Sequence, residues 1–149
     1  MSLGTMPSSK AEVTRLCGGF TIALPFPPVP ASRPRVTRWG TYYGKTYKNY
    51  RELADKAIPQ SDITLEGNLC AHIEFVCAKP KTVTDRVKRD NPRGDIDNHM
   101  KAVLDAITGT SKNPKNYWND DDQIVRVTAV KRYAKFDEEP YTFITVTET

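Results

Sequence analysis

The chain has 149 residues, 38% hydrophobic and 27% charged, with 22 Lys and Arg against 18 Asp and Glu for a net charge of +4. That length suits one domain with a real core and not two, and no apolar run approaches the roughly 20 residues that span a bilayer. Cys17, Cys70 and Cys77 are odd in number and lack metal-site spacing, so they read as reduced thiols in a cytoplasmic protein.

Met1-Ser2-Leu3 reads as a tag remnant ahead of a natural start at Met6, and residues 1–18 as a small, polar, flexible tail before a domain over 19–149. Phe20 to Leu24 predicts a strand, stopped by Pro25, Pro27, Pro28 and Pro30, which cannot donate within a sheet. A basic, aromatic loop follows from Ser32 to about Tyr43. From about Tyr47 to Ile58, Tyr50, Leu53, Ala54 and Ala57 recur at helical spacing, so a helix is expected to end before Pro59. Leu69 to Ala78 predicts a second strand; Cys70 and Cys77, seven apart on it, face opposite sides and do not pair. The polar span Lys79 to Gly94 is a long loop, of the length that is usually functional or disordered. Asp95 or Asp97 opens a second helix that runs to about Thr108 and closes at Gly109. After a loop from Ser111 to Asn119, Ile124–Tyr133 and Tyr141–Thr147 predict two strands. The acidic turn Asp137-Glu138-Glu139-Pro140 is expected to join them as an antiparallel pair. The order β-α-β-α-β-β implies a small mixed α/β or α+β sheet of about four strands with both helices packed on it.

The basic residues gather in two windows. Arg33, Arg35, Arg38, Lys45, Lys48 and Arg51 form one; Lys79, Lys81, Arg86, Lys88, Arg89 and Arg93 form the other. A local positive stripe binds phosphates with salt-dependent affinity, whereas scattered lysines only confer solubility. Of these, Arg33, Arg35, Arg38, Lys45, Lys48, Arg86, Lys88, Arg89 and Arg93 are the candidate DNA contacts. Trp39, Tyr42, Tyr43 and Tyr47 interleave with the first window, either as stacking platforms for unpaired bases or as packing beneath the loop.

Against this basic background stands an acidic constellation: Asp95-Ile96-Asp97, Lys101, then Asp120-Asp121-Asp122. Crowded carboxylates repel, so a fold keeps them either around a cation or as a solvated surface. All-oxygen sets of this kind suit hard divalent ions that serve phosphoryl chemistry. In the second helix Met100, Val103, Leu104 and Ile107 form an apolar stripe, with Asp97, Lys101 and Asp105 beside it at spacings of four. Two readings stay open: helix cap and solvated turn, or two halves of a metal site brought together by the fold. By helical phase His99 falls on the outer face, away from Asp97. His72 is a lone strand residue, and both histidines read as structural or surface groups.

The pattern Asp95-x-Asp97-Asn98-x-x-Lys101, Leu104-Asp105-Ala106 and Trp118-x-Asp120-Asp121-x-Gln123 resembles the RusA family of Holliday junction resolvases. Leu24-Pro25-x-Pro27-Pro28 and the terminal Ile144-Thr145-Val146-Thr147-Glu148 extend the resemblance over nearly all the chain beyond residue 18. It implies a homodimeric, Mg²⁺-dependent endonuclease, often prophage-borne, that resolves four-way DNA junctions by paired nicks in recombination and repair. Mn²⁺ is the expected substitute metal. By motif position Asp95, Asp97 and Asp121 match the family's metal-binding carboxylates, Lys101 its essential lysine and Asp120 the neighbouring acid. Asp122 falls in the variable place. In that reading the cation polarises the phosphate and Lys101 stabilises charge gathering on it. The rival of another class is an inert module that binds branched or single-stranded DNA. Bare carboxylates would repel its ligand.

Overall fold

A computed structural model describes residues 10–32, 35–38, 40–42, 44–79 and 91–149. Strands β1 (Glu12–Leu16) and β2 (Gly19–Leu24) form a tight antiparallel hairpin in which Leu16 pairs with Gly19. Gly18 at φ 74° supplies the left-handed position such a two-residue turn needs. The tail expected to reach residue 18 therefore gives way to a strand at Glu12. Its signal, an x-Gly turn between two short β-prone runs, is weak because β1 is polar and largely exposed.

The basic loop carries a small separate hairpin, β3 (Arg35–Thr37) with β4 (Gly40–Tyr42). Helix α1 (Lys45–Ala57) follows, then β5 (Leu69–Cys77), α2 (Ile96–Thr108), β6 (Ile124–Tyr133) and β7 (Tyr141–Glu148). The main sheet has the order β1-β2-β7-β5-β6, antiparallel throughout except for β5 and β6, which run parallel. The expected α+β fold, with both helices on one sheet, holds with more strands than the sequence predicts.

The pairing of the last two strands differs from expectation. β6 and β7 do not pair with each other; each flanks β5. β5 alternates Leu69, Ala71, Ile73, Phe75 and Cys77 toward the core, and so apolar a strand is best covered as an inner one with neighbours on both sides. The connection Ala134–Pro140 passes the end of β5. There Arg132 donates to both Glu138 carboxylate oxygens at 2.6 and 2.9 Å and to Glu74 at 3.1 Å, and this bonding pulls the Glu138 carboxyl down to about 2. The acidic turn is thus an ion-paired strap and not a hairpin tip.

One face of the sheet carries the core. Phe20, Ile22, Leu24, Ile73, Phe75, Ile144 and Val146 meet Tyr47, Tyr50, Ala54 and Ala57 of α1 and Ala102, Val103, Ala106 and Ile107 of α2. Leu53, expected on the α1 core face, is 40% exposed. On α2 the buried stripe is rotated toward His99, Ala102 and Ala106, leaving Met100 and Leu104 half-buried. Small residues decide this: Ala102 and Ala106 let the backbone approach the sheet. His99, expected on the outer face, is consequently only 2% exposed and lies 5.2 Å from the Phe75 ring. Cys70 is half-buried on the other side of β5 from buried Cys77, and all three cysteines are free. Among the described residues no helix is long and apolar enough to cross a membrane.

The stretch between α2 and β6 is a packed segment. Lys115 donates to the Asp55 carbonyl at 2.7 Å, Tyr117 to the Pro59 carbonyl at 2.8 Å, and the Leu65 amide to the Tyr117 carbonyl at 2.8 Å. It begins at Gly109, whose φ of 84° and ψ of −159° belong to glycine alone, and where a Cβ would strike the Asn113 carbonyl oxygen. Gly109→Ala is expected to lower the unfolding free energy by about 1–3 kcal/mol, seen as a lower urea midpoint at unchanged slope. An unaltered midpoint would show that this turn does not fix the end of α2.

Candidate active site

α2 crosses between two parallel strands, so both its ends sit at the rims of the sheet, and the acidic residues occupy those ends. Asp95 is the residue before the first helical turn (φ −73°, ψ 143°), yet its side chain makes no capping hydrogen bond. Its carboxylate is exposed and unspent, at a helix N-terminus where partial positive charge favours an anion. Asp97, also exposed, accepts one bond, from the Asn98 amide at 3.0 Å. The cap reading of Asp95 thus finds its position and not its bond.

One turn on, Lys101 reaches forward along the helix to Asp105, Nζ to Oδ2 3.1 Å, with 66% of its side chain exposed. That bond, then the Asp105 charge and, more weakly, Tyr47 and Asp121, hold its pKa above the ordinary lysine value. So exposed a pair is worth at most about 1 kcal/mol, which leaves Lys101 free to turn to a stronger anion.

The second acidic group is built differently. Asp120 accepts from the Asp122 amide at 3.0 Å, and Gln123 Oε1 accepts from the amides of Asn119 and Asp120 at 2.6 and 2.9 Å, a reciprocal capping box around the short 3₁₀ turn Asp121–Gln123. Gln123 Nε2 in turn donates to the carbonyls of Leu65 and Gly67. Asp120 is occupied with its own turn, and Asp122 is exposed. Asp121 is the oriented member. Its Oδ1 accepts from Trp118 Nε1 at 2.8 Å and from Thr108 Oγ1 at 2.6 Å, while Trp118 itself is 4% exposed. Two neutral donors fix one oxygen, Oδ1, and neither bond uses Oδ2.

These bonds set the distances. Asp97, Lys101, Asp105 and Thr108 share one stripe of α2, but Asp121 is bonded to the last of them. The backbones of Asp97 and Thr108 therefore stand roughly 16 Å apart along the axis at 1.5 Å per residue, with Asp121 at the Thr108 end. Among the described residues no three His, Cys, Asp or Glu side chains converge to hold a metal. The donor chemistry fits a hard divalent ion; the count of ligands at either end of α2 in one copy does not.

Around this stripe, Lys45, Lys48, Arg38 and Arg93 are exposed. Arg51 ties α1 to the site, donating to the Tyr47 hydroxyl at 3.2 Å and the Asp105 carbonyl at 3.5 Å. Tyr47 is 5% exposed and stacks on Tyr50, so of the two readings for it packing is the one realised. Arg33, Trp39, Tyr43, Arg86, Lys88 and Arg89 lie outside the described residues, as do the side chains of Arg35 and Tyr42. The sequence reading missed Thr108, which carries no motif signal. It also missed the role of Gln123, although Asp followed three residues later by Gln is a capping-box signature.

Residues 25–147 match the family model described as Endodeoxyribonuclease RusA. The chain is 28% identical over 112 residues to the crossover junction endodeoxyribonuclease RusA of Escherichia coli (strain K12) and to that of Shigella sonnei (strain Ss046). It is 29% identical, over the same length, to that of Enterobacteria phage 82. In each case the alignment spans 75% of this chain and 82% of the relative. With the Asp-x-Asp helix, its lysine and the anchored Asp121 all inside the matched span, the chain belongs to the RusA family of endodeoxyribonucleases.

Proposed function

We propose that this protein is a metal-dependent, cytoplasmic endonuclease that resolves four-way DNA junctions by paired symmetric nicks, acting as a homodimer. The observation that carries the reading is the contrast between two exposed carboxylates, Asp95 without a capping bond and Asp97 with only the Asn98 amide, and one carboxylate, Asp121, held by both Thr108 and Trp118. An acidic surface decoration needs no such anchoring. Mg²⁺, with Mn²⁺ as substitute, is the cation these oxygen donors suit, and when bound it would supply Lewis acidity toward a phosphate oxygen.

The chain's own residues do the rest. Asp95 and Asp97 offer ligands at the N-terminus of α2. A second copy related by two-fold symmetry would present its Asp121 there, completing a three-carboxylate set that one copy leaves about a helix length apart. Two such composite sites would match the two-fold symmetry of a four-way junction. Lys101, protonated at neutral pH and only loosely held by Asp105, would leave that pair to stabilise charge on the attacked phosphate. Arg38, Lys45, Lys48 and Arg93, with Arg33, Arg35, Arg86, Lys88 and Arg89, would follow the DNA backbone and set position without reading sequence.

The direct test compares a synthetic four-way junction with a linear duplex of the same arms, in Mg²⁺ and in EDTA, for the wild-type chain and Asp97→Asn. Metal-dependent paired cleavage of the junction alone is expected, and Asp97→Asn should lose about 10²-fold or more in rate while binding the junction at least as tightly. Junction binding without cleavage in any divalent metal would favour the inert module instead.

Asp121 and Asp122 should behave as opposites although they are neighbours. Asp121→Asn keeps an acceptor for Trp118 and Thr108 but removes the charge, and a rate loss of about 10²-fold is expected. Asp122→Asn, at an exposed site, should stay within roughly threefold of wild type. Single-turnover cleavage at saturating enzyme checks the order; equal rates for the two variants would remove Asp121 from the site.

A further inference from the structure

The carbonyl groups of four consecutive residues leading into Asp95 are each taken by a side chain. Tyr133 Oη donates to the Asn91 oxygen at 2.9 Å, Lys131 Nζ to Pro92 at 2.9 Å and to Gly94 at 2.5 Å, and His99 Nε2 to Arg93 at 3.2 Å. A carbonyl only accepts, so the proton of His99 that faces Arg93 sits on Nε2, and the buried Nδ1 has no hydrogen-bond partner. Gly94 closes the arrangement. At φ 91° a Cβ would come within 2.8 Å of Pro30 Cγ and 3.1 Å of His99 Nε2, so the segment is pressed between the proline stretch and α2 with no space for a side chain. The Ala31 amide adds a bond to the Asn98 carbonyl at 2.9 Å, on the first turn of the helix.

Lys131 is the unusual member. It pairs with Phe75 across the parallel ladder and therefore lies on the helix-covered face of β6, in line with Val127, Ala129 and Tyr133. A lysine placed inward on a strand gives up part of the hydration of its ammonium and needs acceptors to compensate. Here it has two carbonyls, in charge-assisted bonds that are stronger than neutral ones. Neither the core nor the sheet requires a cation at this position. What it holds is the segment that orients Asp95 and, one residue into the helix, Asp97.

We infer that Lys131, with Tyr133 and His99, is a positioning clamp for the Asp95–Asp97 pair, and that it sets the affinity for the divalent cation without touching cation or DNA. The inference rests on the proposed site and goes beyond it by naming residues on β6 that tune it. Groups that orient metal ligands typically change metal affinity by about 10–100-fold when removed.

The test measures Mn²⁺ binding directly, by electron paramagnetic resonance titration of the full chain, beside junction affinity in EDTA. Lys131→Met keeps the length of the stem and removes the ammonium. It should weaken Mn²⁺ binding by about tenfold or more, with junction affinity in EDTA and its salt dependence unchanged. Lys131→Arg, which can still donate to both carbonyls, should recover most of the loss. Tyr133→Phe removes one hydroxyl and keeps the ring; it should weaken Mn²⁺ binding by roughly threefold and carries the test if Lys131→Met does not fold. Wild-type Mn²⁺ affinity in a folded variant would overturn the clamp. So would a parallel loss of junction affinity and a shallower salt slope, which mark a backbone contact instead. A wild-type chain that neither binds Mn²⁺ nor cuts the junction overturns the site assignment itself, and the clamp with it.

Discussion

Two parallel strands side by side cannot be joined by a tight turn; the chain must leave the sheet, cross it and return. In this protein β5 and β6 are that pair, and α2 is the crossing. The chemistry follows from the crossing. Ala102 and Ala106 bring α2 close to the sheet, its ends project at opposite rims, and the sequence places carboxylates at both. Because α2 is a thirteen-residue helix, the axial separation between Asp97 and Thr108, to which Asp121 is bonded, is set by helical rise and not by loop conformation. A single copy keeps these carboxylates in two separate groups.

Each acidic group is held by the means its surroundings allow. At the C-terminal end glycine geometry does the work: Gly109 turns the chain, the Ser111–Asn119 stretch is pinned to α1 and the Leu65 region, and Gln123 ties the 3₁₀ turn so that Asp121 meets Thr108 and Trp118. At the N-terminal end there is no capping bond to fix Asp95, and its support comes from carbonyls gripped by β6. The outcome is a pair of exposed carboxylates on a supported stem, an arrangement that would suit the proposed role of holding a cation. Arg51 joins α1, which also carries the exposed Lys45 and Lys48, to the same helix.

Much of this was legible in the residues. Helical spacing gave α1 and α2 within about two residues at each end, and Gly109 marked the stop of α2 because only glycine adopts its backbone angles. Asp121 was pointed to only by the family resemblance of Trp118-x-Asp120-Asp121-x-Gln123; its bonds to Thr108 and Trp118 set it apart from its two neighbours in the structure. Partnership between strands was not legible: β6 and β7 each alternate as a hairpin strand would, and only the need of β5 for two neighbours separates them. The histidine phase misled for a related reason, since Met100 and Leu104 are bulky and apolar while the true packing face is built on alanines. Lys131 did leave a trace, a lysine continuing the inward series Val127, Ala129, but a side chain that bonds backbone carbonyls far along the chain carries no spacing that a sequence can display.

The separation along α2 makes a definite demand, and mixing two inactive variants tests it. In a mixed dimer of Asp97→Asn with Asp121→Asn, a site built across the two copies leaves one site with both defects and the other wholly intact. The account predicts that the mixture, unlike either variant alone, nicks one strand of a four-way junction per dimer and does not make the paired cut. If mixed dimers form and the mixture stays as inactive as its components, Asp97 and Asp121 serve the same copy's site, and the composite arrangement is wrong.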